Sequence, residues 1–195
     1  MEVLLGVGQV KAIGQSLLRW GLLLILGGYC LAASAQASEA GLRVAFVYNF
    51  IKFIEWPALQ DSELSLCVLG AEGETRSALA PIDKKVQQNR SIHVIYMDHI
   101  SQTNEPDLAQ AFSHCELLYV TEVGAAMPLP QILQPGMLLV VDEASPTDER
   151  VGIALMRTID NRIEFQINES AINHAGVKIS SQLLRLAKKR QGGRG

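Results

Sequence analysis

Four short apolar runs punctuate this 195-residue chain: Leu64–Leu69 (LSLCVL), Ser91–Met97 (SIHVIYM), Glu116–Val120 (ELLYV) and Met137–Val141 (MLLVV). Each has the length and the branched-residue content of a strand. Their near-continuous apolar character, without alternation, marks strands buried on both faces. Helical patterns separate them at about residues 74–80, 108–112 and 129–133, the last lying between Pro128 and Pro135. Strands alternating with helices imply βαβ units. The chain is therefore read as an α/β three-layer sandwich around a mainly parallel, Rossmann-like sheet. In a doubly wound order of 2-1-3-4, the first and third runs are neighbours. After Asp142 the rhythm changes. Residues 152–157 and 162–167 flank the turn signal Asp160-Asn161, which predicts a C-terminal hairpin. Helices near 169–175 and 181–190 close the chain.

The front of the chain has the organisation of an export signal. Lys11 and Arg19 supply positive charge, and Gly21–Ala33 is an uncharged, mostly apolar run. That run is short for a bilayer span. Ala35-Gln36-Ala37 then offers the small-x-small pattern of a cleavage site. Residues 1–37 are read as a signal peptide and 38–195 as a single domain with a basic C-terminal tail. An uncleaved anchor is the competing reading. A lipid anchor on Cys30 is disfavoured by Tyr29, since a small residue usually precedes a lipidated cysteine.

Without Glu2, Lys11 and Arg19, the 17 basic and 20 acidic residues become 15 and 19, a net charge of −4. Arg185, Lys188, Lys189, Arg190 and Arg194 put +5 in the tail, leaving the body at −9. An acidic body argues against nucleic acid as a partner. Export also bears on the two remaining cysteines, Cys67 and Cys115. In an oxidising compartment they are expected to form one disulfide, because neighbouring strands would bring them together. The alternative is a pair of buried thiols.

Catalytic chemistry is hard to find. Gly70-Ala-Glu-Gly73 follows a strand where phosphate loops sit, but it matches no phosphate-binding motif and carries acids. It is read as a plain βα turn. His93, His99, His114 and His174 fall at no metal-ligand spacing, and His114 should point away from Cys115 if both lie in regular structure. Asp142 and Glu143 end the fourth strand, where α/β sheets place their sites, yet adjacent acids there are commonly a solvated loop. No catalytic residue, metal or cofactor is expected.

The most concentrated aromatic stretch is Tyr48–Pro57 (YNFIKFIEWP), within a helix expected over residues 40–56 and ended by Pro57. Phe46, Phe50 and Phe53 form one stripe, and Val47, Ile51 and Ile54 the next. Asn49, Lys52 and Glu55 are the only polar strip. Such a helix is buried on more than one side. Trp56 and Glu55, at its end, are the expected surface contacts.

YNFIKFIEWP near the start, LCVLG as the first strand, and IEFQIN followed by GVKISSQLLRLA near the end resemble the YfiR-like periplasmic proteins over about residues 42–187. Cys67 and Cys115 sit where that family's cysteine pair lies. A second pair found in some members has no counterpart here. The resemblance implies a periplasmic domain that binds the periplasmic sensor domain of a membrane diguanylate cyclase and restrains it. Cyclic di-GMP and biofilm formation would then fall. Glu55, Trp56, Gln182 and Leu183 are the partner-binding candidates, with Asn168 and Ser180 or Ser181 as helix caps. Self-association is left open. The alternatives are a periplasmic small-ligand receptor module serving another sensor system and a hydrolase with an unrecognised site.

Overall fold

Serine at the N-cap and glutamate in the first turn start helix α1 (Glu39–Phe53): the Ser38 hydroxyl accepts from the Gly41 N–H at 3.2 Å. A computed structural model describes residues 38–57, 62–100, 104–145 and 147–188. The expected signal peptide, and the tail beyond Lys188, lie outside the described residues. Along α1, Val44, Val47, Phe50 and Ile51 are buried while Leu42, Ala45, Asn49 and Lys52 form the exposed line. Phe50 contacts Phe165 edge-on at 5.1 Å, and Phe46 lies 5.9 Å from the same ring. Burying one such ring contributes roughly 1.5–3 kcal/mol.

The sheet holds seven strands in the order β3-β4-β2-β5-β6-β7-β8. These are β2 (Glu63–Leu69), β3 (Val86–Gln87), β4 (Arg90–Met97), β5 (Leu117–Val120), β6 (Leu138–Asp142), β7 (Ile153–Arg157) and β8 (Ile163–Ile167). The four apolar runs supply the parallel centre, β4-β2-β5-β6, in the predicted doubly wound order. β7 joins in parallel, and β8 returns antiparallel from the Asn161 turn. The pleat divides the core. Leu64, Leu66 and Val68 face α1 and α2 (Gly73–Leu79); Cys67 and Leu69 face α3 (Glu105–Ala111) and the segment leading to Met137. The result is three layers.

The Cys67–Cys115 disulfide ties β2 to the turn before β5, with Cα atoms 5.6 Å apart. Closing a loop of 48 residues is worth roughly 4 kcal/mol in the chain-entropy model.

Three local expectations need correction. Residues 129–133 form no helix, because Pro130 interrupts the run and disfavours helical geometry at Leu129. Their backbone is satisfied from outside instead: Glu105 accepts from the Gln131 N–H, and Arg150 donates to the Pro130 carbonyl. A 3-10 turn forms earlier, at Val123–Ala126. Helix α1 stops at Phe53, since Ile54–Glu55 become a short strand, β1. The last helix, α5 (Ser181–Leu186), ends before 190, because the Lys188 N–H crosses to the Phe165 carbonyl on the edge of β8. Helix α4 (Glu169–Ala175) falls where the sequence placed it.

Candidate functional site

The βα turn after β2 is closely packed against the segment that follows β5. Gly70 has φ +71°, and a Cβ there would meet the Gly124 backbone at 2.3 Å. A Cβ at Gly124 would in turn meet the Leu69 carbonyl at 2.4 Å. Thr121 locks the contact: its hydroxyl lies 2.8 Å from the Gly70 carbonyl and accepts from the Gly124 N–H. At the crevice between β2 and β5, where a doubly wound sheet takes its ligand, the Gly70 and Gly124 backbones thus pack against each other, and a cavity of about 250 Å³ lined by Gly70, Glu72, Thr121, Glu122, Arg43 and Asp142 adjoins them.

Beside it, at the carboxyl ends of β6 and β7, lies a buried charge network. Arg43, on the first turns of α1, is 5% exposed. Its Nη2 donates to Glu39 at 2.8 Å and to Glu143 at 2.5 Å. Its Nη1 lies 3.4 Å from Asp142 Oδ1. Asp142 is also 5% exposed, and its other oxygen accepts from the Tyr119 hydroxyl at 2.8 Å. Glu143 further accepts from the Arg157 N–H at 2.8 Å, while Arg157 pairs with Glu39 at 3.1 Å. Glu143 does this from a left-handed backbone, φ +49°, a conformation with a real cost for a side chain of this kind.

Burial sets the electrostatics. It pushes the Asp142 carboxyl up to about 6, against the lowering pull of Tyr119 and Arg43. Burial opposes the charged form of Arg43 as well, but the hydrogen bonds it donates to Glu143 and Glu39 outweigh it and hold the guanidinium charged. Tyr119 is driven well above its ordinary value by burial and by Asp142. Arg43 Nη1 and Asp142 Oδ1 make no hydrogen bond among the described residues. Each such atom costs roughly 1–3 kcal/mol if left unmet.

At the opposite end of α1 the two terminal motifs meet. β1 pairs antiparallel with β9 (Lys178–Ile179), matching Ile54 with Ile179 and Glu55 with Lys178. The Ser180 N–H donates to the Phe53 carbonyl at 3.0 Å, and its hydroxyl caps α5 by accepting from the Leu183 N–H. Asn168 caps α4. Gln88 reaches in from the β3–β4 turn, its amide donating to the Lys52 and Ile54 carbonyls at 3.1 and 3.0 Å.

The structure places the expected partner-binding residues at this junction with different exposures. Glu55 and Gln182 are exposed on adjoining elements at the junction. Trp56 is half-buried, with its Nε1 3.5 Å from the Glu116 carbonyl, so it is both a packing group and a surface one. Leu183 is corrected: at 2% exposure it faces the core, and the outward apolar groups of α5 are Leu184 and Leu186. His114 lies in a turn before β5, outside the regular structure on which its expected orientation depended. A His114 ring nitrogen lies within 4.8 Å of both cysteine sulfurs. Those sulfurs are bonded to each other, so neither is a thiolate ligand.

Sequence reasoning passed over Arg43. The signal was present: a charge on the Val47–Ile51–Ile54 stripe, facing a strand that ends in an acid. Tyr119, buried inside an apolar run, gave no such sign.

Fold and site together define a doubly wound α/β domain whose first helix is anchored by an ion network at one end and by the chain's closing segment at the other. The chain belongs to the YfiR/HmsC-like family, whose model matches residues 40–188. No curated protein sequence matches it significantly. Among the described residues, no helix is long and apolar enough to cross a membrane.

Proposed function

We propose that this protein is a periplasmic regulator, not an enzyme, which restrains a membrane-bound diguanylate cyclase by binding its periplasmic sensor domain. The observation that carries this reading is the family match across residues 40–188, nearly the whole described domain. Its effect is to lower cyclic di-GMP and with it biofilm formation. The docking surface is the junction of the two terminal motifs, where Glu55, Trp56 and Gln182 sit on elements joined by the β1–β9 pairing. Exposed Leu184 and Leu186 add apolar area on α5, the kind of group that dominates interface energies.

Binding works by occupancy. The bound regulator favours the inactive cyclase, and a near-complete switch needs about 5.5 kcal/mol of preference between the two cyclase states. Deleting the gene should raise cyclic di-GMP, and so should replacing the chain with a Trp56→Ala, Gln182→Ala double variant, its folding checked by circular dichroism. Unchanged cyclic di-GMP after deletion overturns the function. A rise after deletion but not with the double variant moves the docking surface elsewhere.

A further inference from the structure

Among the described residues, Lys52, Lys84, Lys85, Lys178 and Arg185 form no ion pair. Every other described arginine, and Lys188, pairs with an acid. The unpaired cations are all exposed, and all stand on elements that meet at the carboxyl end of α1. Lys52 lies in the last turn of α1, Lys178 on β9 and Arg185 on α5. Lys84 and Lys85 lead into β3, and Gln88 from the turn after it bonds the α1 carbonyls. Tyr48 gathers two of them: the Lys52 and Lys85 ammonium groups lie 5.3 and 5.0 Å from its ring centroid. Each is attracted by the ring face, but like charges drawn to one ring repel each other. The acids on the same segments do little to offset them. Asp83 is engaged by the Val94 N–H and the His93 ring, and Glu55 stands in register with Lys178 without closing an ion pair. Residues 38–195, with 15 basic and 19 acidic side chains, carry a net charge of −4, so this positive excess is local.

We propose that this patch docks an acidic face of a protein partner. The inference rests on the regulatory reading above: the cyclase's periplasmic sensor domain presents carboxylates to Lys52, Lys84, Lys85 and Lys178. A carboxylate set between Lys52 and Lys85 relieves their repulsion. Exposed Leu184 and Leu186 on α5, with Val86 beside Lys85, supply the apolar contact that charge alone does not. The complementary charge speeds encounter and fixes which face docks. An anionic lipid surface fits less well. It is a plane that also meets the rest of an acidic body, whereas a docked protein face meets the patch within a screening length of roughly 10 Å.

The test is cellular cyclic di-GMP in strains producing the full chain as wild type, as a Lys52→Gln, Lys85→Gln, Lys178→Gln triple variant, or with arginine at the same three positions. Periplasmic level and circular dichroism are matched to wild type. The glutamine triple should give at least half the rise that deletion gives, and the arginine triple should stay at the wild-type level. Lys84→Glu, whose exposed side chain makes no hydrogen bond or ion pair among the described residues, should raise cyclic di-GMP in the same direction and carries the test if the triple variant is underproduced. Purified wild-type protein should not sediment with phosphatidylglycerol vesicles at physiological salt. A rise on deletion with none in the glutamine triple or Lys84→Glu overturns this inference and leaves the regulatory reading standing. An arginine triple that behaves like the glutamine triple overturns it too, since charge is then not what the partner reads. Vesicle binding that the glutamine triple loses overturns it in favour of lipid. No rise on deletion overturns the regulatory reading and this inference with it.

Discussion

The two ends of helix α1 are fixed by different physics. At its amino end a buried guanidinium holds three carboxylates from α1 and from the edge of β6. At its carboxyl end the helix gives way to backbone pairing, with Ile54 and Glu55 laid against Ile179 and Lys178 and Gln88 covering the freed carbonyls. The first arrangement is strong only while complete, because removing one partner strands the others in low dielectric. The second divides its load among several neutral hydrogen bonds, each worth about 1 kcal/mol net. Charge thus makes the amino end brittle and sensitive to protons. The carboxyl end tolerates single losses.

Arg43→Ala is the strongest way to break that contrast. It leaves Asp142 and Glu143 without their cation and should cost roughly 3–5 kcal/mol, read as a fall in the urea midpoint at constant slope. A loss no larger than that of a single hydrogen bond would mean that the two ends are equally robust.

A pH series sharpens the comparison. The folded-state Asp142 value, about 6, lies above its ordinary 3.8. The native state therefore binds the proton more tightly than the unfolded chain. Its burial penalty is present above pH 6 and is relieved as pH falls toward 4. This group should add stability over that window, by up to a few kcal/mol, and Asp142→Asn should flatten that limb of the curve. Asp148, held low by its hydrogen bond from Arg150, acts in the opposite sense and at lower pH.

At the other end, Gln88→Ala should cost about 1 kcal/mol and speed amide exchange around Ser180, with the amino end unaffected. Gln88→Gly should cost less than Gln88→Ala, since position 88 has φ +51° and glycine accepts that backbone without strain. Smallest of all, Gln182→Ala should change stability by no more than about 0.5 kcal/mol, as expected for an exposed side chain. Its effect should appear only in the cellular cyclic di-GMP readout.

Much of this architecture is legible in the amino-acid order. Four apolar runs read as buried strands, and the crossovers between them, helical in the first two cases and a 3-10 turn with extended chain in the third, return the chain for parallel pairing. The Asn161 turn gave the hairpin, and export chemistry with neighbouring strands gave Cys67–Cys115. Expectations failed where local pattern competed with long-range pairing. Nothing local predicts that Glu55 will lie against Lys178, because two-residue strands have no periodicity. Nor does it predict that Lys188 will leave a helical pattern to reach Phe165.

The candidate site was less legible still. Asp142 and Glu143 read as a solvated loop, and Arg43 drew no reading at all. Sequence alone determined the layers, the strand order and the terminal motifs, because hydrophobic period and turn chemistry act over a few residues. Only the tertiary structure decided that Arg43 would meet Asp142 in a buried pocket, and that the two terminal motifs would form one junction. Both depend on where α1 comes to rest on the sheet. That position is set by the summed packing of Phe46 and Phe50 against Phe165, which no window of neighbouring residues contains.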